Sequence, residues 1–378
     1  MEQIAVITSA NMSSSAGDIT LMLRRAEAMH SAANMHTNFL IYQGVPQKKC
    51  SVTESYYSVK HMDSFEQLTQ NIAELQPKYI IVYGDKVSLS LPALRRFLKK
   101  QGLESKVMLD VQGCVEERWE YAASLKGKLV YPAYDLVFRM AINNVDGAFV
   151  VSDEMIENCQ RKRLQPQKPM EYIKVRCGIN EVLTLEQKLA CRREVRAAYG
   201  ISEDTLVFTY SGYRMAWQKI DEIIEHMKKY DALLDRAHFM FFCNTDEAFE
   251  KQLAEAFPKG NYTVKLLGKG EYAKTLCACD VGYILRDYNE TNRVAFPNKF
   301  SDYLSSGLLI AMNGALREPM RILKNYGVSY IDTDQPDMKQ NLQIIQGYME
   351  DLPGHYEKVA TVCENELMYV SQIRRAGL

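Results

Sequence analysis

The segment from Pro297 to Gly307 carries the residues whose types and spacing best suit chemistry with an anion. Proline is favoured at the first position of a helix and glycine just after the last, so the segment predicts a short helix. The unpaired N–H groups of its first turn attract a phosphate, and Lys299 adds a full positive charge. Asp302 follows Asn298 by four residues on the same face, where its carboxylate can accept hydrogen bonds from a sugar hydroxyl. Groups for a diphosphate and a ribose side by side predict a nucleotide-sugar site.

A second segment, residues 211–221, could supply further groups to the same anion. It follows an apolar run and leads into a helical pattern, so Gly212 lies in a turn from strand to helix. Arg214 and Lys219 could neutralise a diphosphate, Arg214 through a bidentate contact. Trp217 could close the site over a ligand or cover the core.

Two loops in the first half of the chain also follow predicted strands. In the loop 11–18, Gly17 permits a close backbone approach to an acceptor or a phosphate, and the alternative is an ordinary capped helix start. In the loop 110–117, Gln112 could hydrogen-bond a sugar. The two glutamates that end this loop could act as acid or base, but we favour a capping role, because carboxylates prefer the first turn of a helix.

Two polar or basic segments allow two interpretations each. Residues 286–295 follow a predicted strand and lead to the helix at Pro297, as part of the site or as a solvated surface loop. Residues 91–100 are basic and amphipathic, which suits contact with an anionic membrane surface. A helix with a solvated charged face is the interpretation we favour for 91–100.

The composition excludes several classes of protein. The chain has 378 residues, 47% hydrophobic and 25% charged, with a net charge of −1. A balanced charge argues against nucleic acid as a partner, which needs a basic footprint. The nine cysteines are scattered without a C-x-x-C pair, so we expect no zinc site and reduced thiols in a cytoplasm. We expect no signal peptide and no membrane span, because the N-terminus lacks a basic region and no apolar run approaches about 18 residues.

Apolar strands alternate with helical patterns along the whole chain, which predicts parallel sheets covered on both faces. One helix is expected over 115–125, and one long helix from about Tyr356 to Ile373. The chain predicts two doubly wound units of five or six strands each, with a hinge near 180–203. The expected domains are 1–182, 183–355 and a C-terminal helix over 356–378. Two such domains facing each other would form a cleft, a common place for a ligand.

The second half resembles the retaining nucleotide-sugar glycosyltransferases of the GT-B fold, family 4. Segment 297–307 is similar to that family's proline-x-lysine-phenylalanine-x-acid-tyrosine-leucine-alanine-serine-glycine segment, and residues 211–221 to its glycine-loop segment. Residues 149–155 resemble its strand-serine-acid segment. The resemblance implies two Rossmann-like doubly wound domains facing across a cleft, with the C-terminal helix packing back on the N-terminal domain. The N-terminal domain would take the acceptor and the C-terminal domain the donor.

The resemblance also implies roles for single residues. Asp302 matches the acid that holds the ribose, and Asn298 and Lys299 match the helix start that meets the diphosphate. Four positions depart from the residue most members carry, namely Gln112 (near a position that is often histidine), Tyr213 (arginine), Gln218 (lysine) and Val294 (glutamate). The candidate catalytic residues are Gln112, Arg214, Lys219 and Lys299. The candidate donor-binding residues are Gly212, Gln218, Asn298, Lys299 and Asp302, and Gly17 is the candidate for the acceptor or phosphate loop.

The function implied is transfer of a sugar from a UDP- or GDP-sugar to an acceptor hydroxyl with retention, in the synthesis of cell-surface polysaccharide or glycoconjugate. No cofactor or metal is required, because helix N-termini and cations would stabilise the departing diphosphate. A glycan or lipid-linked acceptor and a cytoplasmic location, at the inner face of the membrane with peripheral contact, follow by analogy. The alternatives are a GT-B nucleotide-sugar epimerase and a non-catalytic nucleotide-sugar-binding homologue.

Overall fold

The computed structural model describes residues 1–12, 17–43, 52–335 and 337–378 of the chain. The chain divides into two compact units. The first comprises Met1–Asn180, Val294–Phe296 and Leu367–Leu378, and the second comprises Glu181–Arg293 and Pro297–Glu366. Each unit is built on one sheet, as the two-fold alternation of strands and helices predicted.

The sheet of the first unit contains eight strands within the described residues. They are β1 (Glu2–Thr8), β2 (Met35–Tyr42), β3 (Val52–Thr53), β4 (Tyr57–Met62), β5 (Tyr79–Tyr83), β6 (Lys106–Val111), β7 (Gly147–Val150) and β8 (Glu171–Lys174). Their order is β3-β4-β2-β1-β5-β6-β7-β8, and all pairs are parallel except β3 with β4. The sequence predicted six of these strands. It missed β3 and β4 because polar residues interrupt the apolar ones in this hairpin.

Helices connect the strands of the first unit. They are α1 (Gly17–Ala33), α2 (Phe65–Leu75), α3 (Asp85–Ser88), α4 (Leu91–Gln101), α5 (Glu117–Glu120), α6 (Leu125–Leu129), α7 (Tyr131–Ile142) and α8 (Asp153–Lys162). Ser64 and Ser152 cap α2 and α8, each accepting from a backbone N–H three residues later. The single helix expected over 115–125 is wrong. Ser124 accepts from the N–H of Gly127 at 3.2 Å and starts a new helix there, so the segment divides into α5 and α6.

The second unit has a six-stranded, all-parallel sheet in the part of the chain that the structure describes. Its strands are β9 (Leu206–Ser211), β10 (Ala237–Phe242), β11 (Tyr262–Val264), β12 (Val281–Ile284), β13 (Leu309–Met312) and β14 (Tyr330–Asp332), in the order β11-β10-β9-β12-β13-β14. Its helices are α9 (Leu185–Ala198), α10 (Ile220–Leu233), α11 (Glu247–Ala256), α12 (Lys269–Leu276), α13 (Glu290–Arg293), α14 (Asn298–Ser305), α15 (Arg317–Asn325), α16 (Met338–Glu350) and α17 (Leu352–Val362). Among the described helices of both units, none combines the length and the apolar character that crossing a membrane requires.

A buried ionic cluster joins α9 to the start of β12. The carboxylate of Asp280 is fully buried and accepts from Arg192 and Arg196, each at 2.7 Å. It also accepts from the backbone N–H of Val207 at 2.7 Å, so both carboxylate oxygens accept hydrogen bonds. Arg196 donates to the carbonyls of Ala278 and of the turn before β9. This cluster fixes α9 to the sheet of the second unit.

The C-terminal segment is divided between the units, so the prediction of one long helix is wrong. Helix α17 lies in the second unit, where Gly307 with φ +89° leaves room for the ring of Tyr356. A π-helical turn, Cys363–Leu367, follows, and then α18 (Tyr369–Arg375), which packs against α1 in the first unit. Gln372 in α18 accepts from the N–H of Arg176 at 2.7 Å. The expected packing of the C-terminal helix on the N-terminal unit is confirmed for α18.

Candidate functional site

The second sheet reverses its strand order between β9 and β12. From β9 the chain moves outward to β10 and β11, whereas β12 leads the other way to β13 and β14. Loops at the carboxyl ends of two such neighbours diverge and leave a crevice, which is where ligands bind in open α/β sheets. The loop 212–219 follows β9, and the loop 285–297 follows β12 and leads into α14. Both segments singled out from the sequence therefore meet at this switch point.

Lys299 lies at the centre of this arrangement, on the first turn of α14. Its Nζ donates to Oε1 of Gln218 at 2.7 Å and lies 4.2 Å from the ring centroid of Tyr210. Tyr210 is fully buried at the end of β9. Lys299 forms no ion pair with a carboxylate among the described residues. A half-buried ammonium held by an amide oxygen and a ring face is available to an incoming anion.

The electrostatic surroundings of Lys299 are positive. Burial lowers the pKa of Lys299 well below its usual range, and the nearby Arg286 guanidinium lowers it further. Arg286 is buried at the end of β12, where its backbone N–H and carbonyl bond to the side chain of Asn313. Two cations confined in one crevice favour a dianionic ligand, which would restore the charged form of Lys299. Arg286 lies in the segment 286–295 that the sequence singled out, but no local pattern indicated that its side chain is buried rather than exposed on a surface loop.

Gly212 is required by the position of Lys299. Its φ is +116°, a conformation that residues with a side chain rarely adopt. A Cβ at this position would lie 2.8 Å from Cε and 3.1 Å from Nζ of Lys299. The N–H of Gly212 is bonded to the carbonyl of Phe242 at 2.9 Å, which anchors the loop to β10. The glycine thus gives Lys299 access to the crevice.

The other two predicted cations of this loop are engaged by carboxylates. Arg214 bonds to Asp246, the N-cap of α11, and its guanidinium lies 4.5 Å from the ring centroid of Phe249. Lys219, with φ +52°, donates to Asp287 at 2.9 Å and to Glu222 at 2.8 Å. These hydrogen bonds, first that to Asp287, raise the pKa of Lys219. The structure therefore brings Gly212, Gln218 and Lys299 together, and it places Arg214 and Lys219 in ion pairs.

Helix α14 presents its amino end to the crevice. Pro297 precedes it in an extended conformation, and no side chain in the described residues caps it. Asn298 and Asp302 are both partly exposed, whereas Phe300, Tyr303 and Leu304 on the other face are buried. Asn298 and Asp302 therefore share a partly exposed face of the helix, as their spacing predicted.

Tyr303 connects this helix to β9, a role that the sequence did not reveal. Its hydroxyl accepts from the N–H of Ser211 at 2.8 Å and lies 2.9 Å from the Ser211 hydroxyl, which also contacts Tyr272 at 2.6 Å. The ring packs on Gly282, where a Cβ would lie 2.4 Å from it. These contacts fix the distance from the end of β9 to α14, and so the position of Lys299.

The first unit holds the two remaining candidate residues. Gly17 is the first residue of α1, and the neighbouring Ser13–Ala16 of its loop lie outside the described residues. Gln112 follows β6 and donates to Asp110 at 2.8 Å. Asp110 also accepts from the buried Arg25 at 2.7 Å. Gln112 is thus oriented by a buried ion pair and remains partly exposed.

Three further positions of the first unit favour structural interpretations. Glu116 forms an ion pair with Lys162, so it is tied to α8. Val294 is fully buried, and its carbonyl accepts from Ser152 at 2.6 Å. The apolar residues of α4, namely Leu91, Leu94 and Leu98, are buried, so this basic helix turns its apolar face to the core.

No family model and no curated protein matches the chain. Solved structures do match it over nearly its whole length. Sucrose-phosphate synthase from Thermosynechococcus elongatus superposes with a TM-score of 0.66 at 13% identity, covering 99% of this chain and 98% of that chain. Anabaena HepE in complex with UDP superposes with a TM-score of 0.64 at 10% identity, covering 100% of this chain and 98% of that chain. WaaG, a glycosyltransferase involved in lipopolysaccharide biosynthesis, superposes with a TM-score of 0.61 at 10% identity, covering 99% of this chain and 98% of that chain.

At these identities the likeness concerns the fold alone. The two parallel, Rossmann-like sheets and the full-length coverage define a two-domain GT-B fold. The fold class predicted from the sequence is therefore confirmed.

Proposed function

We propose that the protein is a glycosyltransferase that moves a sugar from a nucleotide-diphosphate-sugar donor to an acceptor hydroxyl with retention of configuration. The observation that carries the proposal is Lys299, a cation without a carboxylate partner in the described residues, at the amino end of α14 and at the switch point of the second sheet. HepE, which has a similar fold, was solved with UDP, and this supports UDP as the nucleotide.

In this proposal the second unit, which contains most of the expected domain 183–355, binds the donor. The ammonium of Lys299 and the first N–H groups of α14 hold the diphosphate and stabilise it as it departs. Asn298 lies at the same helix start, and Asp302 one turn later accepts hydrogen bonds from the ribose. Gln218 orients Lys299 until the anion takes its place. Lys219 acts as a positioning residue, because its ion pair with Asp287 joins the two loops of the crevice.

The first unit, which contains most of the expected domain 1–182, is proposed to bind the acceptor. Gln112, held by Asp110, is proposed to hydrogen-bond an acceptor or sugar hydroxyl. Gly17 opens α1 at the switch point of the first sheet, between β1 and β5, where an acceptor or phosphate can approach the backbone. The leaving phosphate is proposed to accept the acceptor's proton.

We further propose an acceptor in the class of glycans or lipid-linked saccharides, on the cytoplasmic side of a membrane. WaaG, which shares the fold, is involved in lipopolysaccharide biosynthesis, and this supports cell-surface glycan synthesis as the setting. Peripheral contact with the membrane stays a prediction, and α4 does not supply its surface, since its apolar residues are buried.

Donor binding is tested by calorimetry and thermal shift with UDP, GDP and their sugars. Lys299→Met should weaken binding of the preferred nucleotide about 10- to 100-fold, because a charge-assisted contact contributes about 1.5–3 kcal/mol. Asp302→Asn should weaken the nucleotide but not inorganic diphosphate, because the diphosphate lacks a ribose. The matched controls are Lys251→Met and Asp235→Asn, exposed residues of the same unit. Equal affinity in Lys299→Met and Lys251→Met would overturn the site.

Transfer is tested by incubating the preferred donor with an acceptor panel and following the anomeric carbon by NMR. Retention requires a product with the donor's anomeric configuration. Epimerised donor in the absence of acceptor would identify an epimerase instead. Tight donor binding without turnover on any acceptor would identify a binding protein, the outcome that the buried Val294 favours.

A further inference from the structure

A group of exposed apolar side chains lies on α6 and α7 of the first unit. Five large apolar residues are exposed between positions 119 and 136, and Leu125, Leu129 and Leu136 among them are 76%, 72% and 68% exposed. Helix α7 has only two charged residues in twelve, yet it buries only Ala141 and Ile142. A helix this apolar normally packs into a core. Part of its apolar surface therefore has no partner within the described chain.

The exposed positions form one stripe. Val130 has helical angles, φ −84° and ψ −16°, so the helical turn continues from α6 into α7. At about 3.6 residues per turn, positions three or four apart share a face. The exposed residues with this spacing are Leu125, Leu129, Pro132, Ala133 and Leu136. We call this set the apolar stripe.

Two lysines flank the apolar stripe. Lys126 follows Leu125 and Lys128 precedes Leu129, so each lies about 100° around the helix, on opposite sides of the stripe. The Nζ atom of Lys128 lies 5.1 Å from the ring centroid of Trp119. Among the described residues, neither lysine forms an ion pair with a carboxylate. Lysine stems can lie along apolar surface while their ammonium groups reach a polar layer.

The carboxylate of α7 is engaged by other cations. Asp135 accepts from Arg139 at 2.6 Å and from Lys162 of α8 at 2.5 Å. The two glutamates of the preceding helix α5 come before the stripe in the chain. The two flanking lysines therefore give the stripe a positive border, which is complementary to anionic groups.

Aromatic residues lie next to the stripe. Trp119 is 51% exposed, and its ring centroid lies 6.2 Å from that of Tyr131 at the start of α7. Tryptophan and tyrosine are enriched where lipid meets water, because each ring is apolar and carries one polar group. An apolar stripe bordered by lysines and aromatic rings is the composition of a helix that lies in a membrane interface.

A second copy of the chain fits this surface less well than a membrane. A stable dimer interface takes about 20–30 residues from each partner, far more than the stripe contains. In a two-fold dimer the same patch meets itself, so Lys126 and Lys128 would lie near their own copies. Anionic lipid headgroups would instead neutralise both ammonium groups.

We propose that the apolar stripe docks the protein on the surface of a bilayer that contains anionic lipids. The leucines enter the boundary between headgroups and acyl chains, and Lys126 and Lys128 contact headgroup phosphates. The proposal deepens the membrane setting of the proposed function and rests on it. Vesicle binding needs neither donor nor acceptor, so it is measured independently of sugar transfer.

The stripe is tested by flotation with vesicles of phosphatidylcholine alone and of phosphatidylcholine mixed with phosphatidylglycerol. The parent should bind the mixed vesicles. Leu129→Gln with Leu136→Gln should bind them at least about tenfold more weakly, because two leucines no longer enter the lipid. The matched control is Leu164→Gln with Leu233→Gln, at residues 78% and 55% exposed elsewhere on the chain. Equal binding by the two double variants, or no binding by the parent, overturns the proposal.

The charge is tested by Lys126→Gln with Lys128→Gln. This variant should bind the mixed vesicles about 10- to 30-fold more weakly, the effect of two lysines near an anionic surface. Lys99→Gln with Lys100→Gln removes the same charge from α4, whose apolar residues are buried, and should bind like the parent. Losses of equal size in the two variants, or equal binding of the parent to neutral vesicles, contradict the proposal.

Trp119 reports on the docked surface. The chain has two tryptophans, so Trp217→Phe leaves Trp119 as the only one. Its fluorescence should shift to shorter wavelength with the mixed vesicles, and unchanged emission overturns the proposal.

Sedimentation velocity without lipid tests the second copy as the occupant. A parent dimer that Leu129→Gln with Leu136→Gln dissociates would overturn the membrane assignment. UDP titrated into the same variant should give the parent's affinity, so a failure of the donor site is distinguished from a failure of docking.

Discussion

The substitution Gly212→Ala tests the geometry of the proposed donor site most directly. Gly212 has φ +116°, and an added Cβ would meet Cε of Lys299 at 2.8 Å and Nζ at 3.1 Å. The new methyl group would therefore strain the backbone and push the ammonium out of the crevice. We expect loss of stability and loss of nucleotide binding together, because one atom causes both.

The size of the effect can be worked out from a matched glycine. Gly260, in the same unit, has φ +70°, and its added Cβ would meet nothing within 4 Å. Gly260→Ala should cost only the left-handed backbone strain, about 1–2 kcal/mol. Gly212→Ala combines a strained φ, about 1–3 kcal/mol, with the displacement of Lys299. Each kcal/mol should lower the melting temperature by about 2–4 °C.

Urea unfolding and UDP calorimetry on both variants measure the two consequences. Gly212→Ala should lose UDP affinity at least about tenfold, as Lys299→Met does, while Gly260→Ala should bind UDP like the parent. In the double variant Gly212→Ala with Lys299→Ala, the steric overlap is absent, so Gly212→Ala should cost less stability there than in the parent. Normal UDP binding by Gly212→Ala, or an equal loss of stability in the Lys299→Ala background, would refute this geometry.

Three further predictions concern charge. Because the pKa of Lys299 is lowered in the folded protein, UDP binding should take up a proton. The affinity for UDP should also fall as pH rises from that lowered pKa towards about 10.4. Calorimetry in buffers of different ionisation enthalpy measures the proton uptake, and finding none would contradict this prediction. For the same reason the charged form is penalised in the fold at every pH below the unfolded value, so Lys299→Met should raise the free energy of unfolding near pH 7, and a lower value in urea would count against it. Asp280→Asn should lower the free energy of unfolding in urea by about 3–5 kcal/mol, because two buried guanidinium groups lose their counter-charge. Glu255→Gln, at an exposed ion pair, should change it by less than about 1 kcal/mol. Similar losses in both variants would show that burial is not the cause.

The elements with strong local signals were predictable. Strands β12 and β13 are continuous apolar runs and β9 and β10 are largely apolar, a pattern typical of the buried strands of a parallel sheet. Helix α14 lies where proline and glycine bracket it. The elements that failed have weak or conflicting signals. Strand β4 is half polar, and α17 and α18 were joined because the helical pattern runs through Cys363–Leu367 without a glycine or proline.

By itself, the sequence determined that the chain forms two parallel sheets, and it predicted an anion site at the helix start near Lys299. Both depend on residues a few positions apart, where periodicity, capping and the helix dipole act. The tertiary structure alone decided which of the cations near that helix start pair with carboxylates. Arg214 forms an ion pair with Asp246, and Lys219 forms one with Asp287. Lys299 and Arg286 lie close together in one crevice. The partners of the two ion pairs lie 32 and 68 residues apart in the chain, and their pairing depends on strand order, which no local pattern encodes.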